Sequence, residues 1–99
     1  MLPTQIKGDI NMTKFYVSAI DKFMSDWGKA KDKENIVVFE CGDLSEVKIL
    51  IDNIRHRKDF KFVLYHNTYY PTFDEKKFYQ QKKDKTDYPK FYEEGYFNY

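Results

Sequence analysis

Two histidines and one cysteine are the residues most able to do chemistry in this chain, and their spacing supports little of it. His56 falls in a basic run and His66 closes an apolar one (FKFVLYH); neither stands at metal-ligand spacing from a second donor. Cys41 is the lone cysteine, so a cysteine-rich zinc site and an intrachain disulfide are both excluded. It lies between an apolar run and a helix start, where a thiol pKa can fall toward reactivity. The commoner role for a cysteine so placed is that of a small core hydrophobe. Four scattered glycines build no phosphate loop, dinucleotide fingerprint or G-x-S-x-G elbow. The carboxylates Asp21, Asp26, Asp84 and Asp87 are set among lysines, the pattern of a solvated surface. The expectation is a non-enzyme with no metal and no cofactor.

Binding chemistry is better represented. Nine Phe, nine Tyr and one Trp are a high aromatic load for 99 residues. Large side chains extend a small core, and Tyr and Trp also favour interfaces. Trp27 sits with Phe23 and Met24 among charges, just before Gly28. It either pins its loop over the sheet edge, the preferred reading, or anchors a partner. Arg55, His56, Arg57, Lys58 and Lys61 form the one basic cluster. They compensate the carbonyl end of a helix or, with Arg55, Arg57, Lys58 and Lys61 beside Tyr65, Tyr69 or Tyr79, contact nucleic acid. The overall balance of 17 basic and 16 acidic residues gives no global field toward nucleic acid or an anionic membrane.

The elements that must position these residues centre on 35–66. Residues 35–41 (NIVVFEC) form a short β-branched and aromatic run, the mark of a buried strand. Asp43 with Glu46 three residues on approximates a capping box. Leu44, Val47, Leu50, Ile51 and Ile54 then recur at helical spacing as one apolar stripe, ending near Arg55. In residues 60–66, Phe60, Phe62 and Leu64 alternate with Lys61 and Val63, which predicts a second strand. Upstream, residues 13–20 (TKFYVSAI) alternate as a first strand, with Phe15, Val17 and Ala19 on one face. Residues 21–34 make a long connection, and such connections are often functional. Residues 75–83 read as a fourth strand in preference to a short helix, and 84–99 as an aromatic-rich tail that packs back on the body. The expected fold is α+β: a small antiparallel or mixed β-β-α-β-β sheet with one amphipathic helix on one face.

The length fits a single domain over 13–99 preceded by a loosely ordered extension at 1–12, with Met12 an alternative start. There is no membrane-length apolar run and no signal-peptide core, and cysteine usage fits a reducing, cytoplasmic setting.

Three segments carry a resemblance: KFYVSAIDKFMSDWGKA (14–30), the strand-helix-strand with R-x-x-F-K-F-V (57–63), and DKTDYPKFYEEGYF (84–97). The chain resembles a family of small, largely uncharacterised proteins of phages, plasmids and integrative elements of low-GC Gram-positive and other anaerobic bacteria. That family shows similar D-K-F-M-S-x-W-G-x-A and D-K-T-D-Y-P segments. It departs at 63–68 (VLYHNT), where the family usually ends in cysteine and lysine. The resemblance transfers no catalytic residue. It implies a compact mobile-element protein that binds and inhibits a bacterial host-defence complex, such as a CRISPR effector. Trp27, Tyr69, Tyr70 and Tyr88 would then be contact residues, with Asp21, Asp26, Glu93 and Glu94 opposing a basic channel. A nucleic-acid-binding accessory module is the alternative, and a purely structural or dimerising module a third; monomer and homodimer both remain open.

Overall fold

The computed structural model describes residues 14–95; the expected extension at 1–12 and the last four residues lie outside that range. The elements are β1 (Phe15–Asp21), β2 (Glu34–Cys41), α1 (Leu44–Ile54), β3 (Phe60–His66) and β4 (Phe78–Lys83). One sheet runs in the order β3-β1-β2-β4. β1 is antiparallel to both β2 and β3, whereas β4 lies parallel to β2. The result is the expected small α+β fold with a mixed sheet and a helix packed on it. β4 begins later than the pattern suggested, because Lys77 N and Phe78 N both donate to Asp74 O in a turn.

β1 and β2 are central, which explains why both of their faces are apolar. Val17, Ala19, Val37, Phe39 and Cys41 join Val47, Leu50 and Ile54 of α1 in the main core. Asp43 caps the helix by accepting from Glu46 N at 2.8 Å, and Glu46 Oε1 accepts from Gly42 N at 2.8 Å. This is the reciprocal capping the sequence suggested, shifted by one residue on the return bond. Leu44 is exposed in the first turn, so the buried stripe is shorter than its sequence spacing implied. Asn53 holds the tail: its Nδ2 donates to Phe91 O and to Glu93 O, both at 2.8 Å. Phe91 then meets Phe39 and Phe60 edge-on and stacks on Tyr88 at 5.2 Å.

β3 differs from the simple alternation. Its register against β1 shifts between Ser18 and Ile20, and Phe62 has φ 53°. This is a β-bulge with a phenylalanine in the left-handed position that usually takes glycine. Phe60 and Val63 therefore face the core, while Phe62 and Leu64 are left exposed. The opposite face of the sheet lies under the β3–β4 connection. His66 sits 2.8 Å from Ser18 Oγ and 3.4 Å from Tyr69 Oη, and its ring meets Phe73 edge-on. Gln80 Nε2 donates to Pro71 O, and Gln80 Oε1 accepts from Phe73 N.

Candidate functional site

The β1–β2 connection is a built structure. Asp21 Oδ1 accepts from Phe23 N and Met24 N, at 3.1 and 3.4 Å, which turns the chain out of β1. Ser25 Oγ donates to Asp21 O and accepts from Asn35 N, each at 2.8 Å, tying the turn to both strands. Asp26 N donates to Lys33 O, and Asp26 Oδ1 accepts from Asp32 N. Asp26, Gly28 and Asp32 all take left-handed backbone, with φ of 68°, 61° and 64°; aspartate and glycine tolerate this best. A 3-10 turn at Gly28–Ala30 buries Ala30.

This frame displays apolar side chains. Phe23 is 68% exposed, Trp27 54%, and Met24 lies beside them. Trp27 Nε1 donates to Phe23 O at 2.9 Å, so its polar edge is satisfied within the connection. Met24, Trp27, Asn35, Tyr79 and Gln81 line a hollow of about 220 Å³. The indole borders the β2–β4 margin beside Tyr79 and Gln81 and stays half exposed, so it covers the sheet edge only in part, while its bond to Phe23 O holds the connection. A bare indole with a bonded N–H is suited to an apolar pocket on another molecule.

The other expected contact residues are not brought together with Trp27. Asp21 is buried and its carboxyl lies above the usual carboxylate range, chiefly through burial. It shapes the connection from within, through its bonds to Phe23 N and Met24 N, and is not set out on the surface. Tyr88 is half-buried in the ring cluster with Phe39 and Phe91, and burial raises its phenol. Asp26 is exposed near Trp27. Tyr69 and Tyr70 are exposed at the other end of the sheet, Tyr70 against Tyr16 at 5.3 Å with Lys82 over its ring. Tyr16 pairs with Glu40, five residues from the Asp21–Asn35 pair, which is roughly 17 Å along the strands. Glu93 is ion-paired to Lys90, and Glu94 lines a groove of about 820 Å³ with Leu44, Ile51, Arg55 and Tyr65. The expected acidic front is thus dispersed.

The basic cluster is divided as well. Arg57 lies 5.5 Å from the Phe60 ring and 5.7 Å from the Phe91 ring, and 3.9 Å from Asp59. Arg55 faces the groove, and Lys58 and Lys61 are exposed.

Cys41 is fully buried, and burial followed by Glu46, Asp43 and Glu40 pushes its thiol up to about 12. The helix N-terminus does not activate it. The contact between Ser18 and His66 is one that no spacing in the sequence announces. A serine in the middle of an apolar strand was the available signal, since such a group needs a buried partner. Both are buried, and burial lowers the His66 pKa, so the pair joins a neutral imidazole to a hydroxyl inside the fold. Among the described residues no three His, Cys, Asp or Glu side chains gather to hold a metal ion, and no helix is long and apolar enough to cross a membrane. No family model, curated protein or solved structure matches this chain.

Proposed function

We infer that this chain is a non-enzymatic protein of a phage or other mobile element that binds and inhibits a bacterial defence complex, in the manner of an anti-CRISPR protein. The observation that carries the reading is the exposed Phe23, Met24 and Trp27 on a connection fastened at both ends. A binding residue held in place beforehand loses little freedom on association. Phe23, Met24 and Trp27 also lie in the 14–30 segment, one of the three that carry the resemblance. These apolar side chains would enter a pocket on the defence complex, with the mixed charges of Lys22, Asp26, Lys29 and Lys31 forming a polar rim.

The nucleic-acid reading is less well supported, because Arg57 is engaged with two rings and Asp59. The test is phage plating on a host with an active CRISPR system and on a matched host without one. Expression of the chain is expected to raise plaque counts on the defended host alone. Unchanged counts on the defended host, with no defence component co-purifying, would overturn the reading. Salt-dependent binding of single-stranded DNA or RNA tighter than about 100 μM would favour the alternative.

A further inference from the structure

Asn35, at the start of β2, is a buried amide, only 2% exposed, and pairs in register with Tyr79 of β4. Its backbone N–H donates to Ser25 Oγ, and its Oδ1 accepts from Gln81 Nε2 at 3.0 Å. Asn35 Nδ2 and Gln81 Oε1 are left with no hydrogen-bond partner among the described residues. Turning both amides over exchanges their roles and still leaves one donor and one acceptor. No buried side-chain nitrogen or oxygen among the described residues is sealed off without a partner, so the unbonded Asn35 group reaches open space. That space is the hollow of about 220 Å³ that Asn35 and Gln81 line together with Met24, Trp27 and Tyr79. Buried polar groups are nearly always bonded, so an internal amide left half-satisfied at the wall of a hollow calls for a ligand.

We propose that this hollow holds the base of a free nucleoside or nucleotide. Trp27 and Tyr79 supply aromatic surface, on which any base stacks. The donor and acceptor left on the amide pair match the Watson–Crick edge of a base, where a donor stands beside an acceptor. An aliphatic or phenyl side chain would fill the hollow but leave the Asn35 group desolvated without a partner. The volume lies below the roughly 300–1,000 Å³ of sites that enclose drug-sized ligands, which suits one ring system with its sugar left outside. Lys29 is the only basic residue among the described ones that line the hollow, enough to meet a single phosphate. A bound strand would need a track of cations along its backbone, so the free nucleotide is the better fit. The site shares Trp27 with the partner surface but does not rest on the defence-complex reading.

An NMR titration of the isotope-labelled full chain with adenosine monophosphate tests this, read at the Trp27 indole N–H and the side-chain amides of Asn35 and Gln81. Those signals are expected to shift together, with a dissociation constant on the order of 0.1–1 mM, while ribose phosphate moves none of them. Gln81→Leu, on the edge strand, should weaken binding by about fivefold or more. Trp27→Ala should weaken it by about tenfold or more. No binding up to about 5 mM overturns the proposal. Ribose phosphate binding as tightly as the nucleotide overturns it too, as does nucleotide binding that both variants keep unchanged. A single-stranded oligoadenylate that binds more than about a hundredfold tighter, and loses that gain as salt is raised, would assign the site to a strand and equally overturn the free ligand. Gln81→Leu leaves Phe23, Met24 and Trp27 in place, so this test and the plating test fail separately.

Discussion

Asn53 and Cys41 show what single side chains do here beyond their type. Asn53 is a modest helix former in the last turn of α1, yet its buried amide satisfies two carbonyls of the tail. Asn53→Ala leaves Phe91 O and Glu93 O without that donor. It should cost about 2–3 kcal/mol in urea unfolding, given two lost bonds at about 1 kcal/mol each and the desolvated groups left behind. A loss under 1 kcal/mol, against that expectation, would mean the carbonyls find other donors. Cys41 should be inert: with its thiol pushed up to about 12 and no exposure, a disulfide reagent at pH 8 should label it only as fast as the chain unfolds. Labelling within the mixing time, with the fold intact, would contradict the packing described.

The β3–β4 connection packs on the His66 ring through Tyr69 and Phe73. Burial lowers the His66 pKa below the ordinary value of 6.5, so the unfolded chain takes up this proton before the folded one does. Stability that is full above pH 6.5 should therefore fall as pH drops below it and level off under the folded-state pKa. Thermal melts across that window check the sign, and His66→Asn should flatten the slope. A steeper slope in the variant would contradict it. Asp21 acts in the opposite sense at lower pH. Its raised pKa means the folded chain is protonated first, so it offsets part of the acid loss, and stability from this source declines as pH rises through its folded value. The elements most legible in the sequence are those decided locally, such as β2 by its β-branched run and α1 by Asp43 and Glu46. The face of β3 was not legible. Phe62 is a residue type that resists φ 53°, so nothing local announces the bulge that moves Val63 inward.

For the whole molecule, the α+β class followed from element order, but the parallel placement of β4 on β2 depends on long-range pairing that no local pattern encodes. The same holds for the site. Trp27 was visible as an anchor, while the separation of Trp27 from Tyr69 and Tyr70 follows from which ends of the strands their loops join. Asp21 was drawn inside by its strand pairing with Asn35 and Phe60, and Tyr88 by its ring contact with Phe39. What remains outside on the β1–β2 connection is a fixed apolar surface formed by Phe23, Met24 and Trp27, the surface proposed above to bind the partner. The direct measurement is phage plating on the CRISPR-defended host with Trp27→Ala in place of the parent, using protein whose melting curve is recorded alongside. A half-exposed indole with one surface bond should cost no more than about 1 kcal/mol on truncation, a fall in Tm of roughly 4–8 °C at most, where a buried one would cost about 3–5 kcal/mol. The binding role proposed for Trp27 predicts a folded variant that no longer raises plaque counts. A folded variant that restores plaques as well as the parent would contradict it.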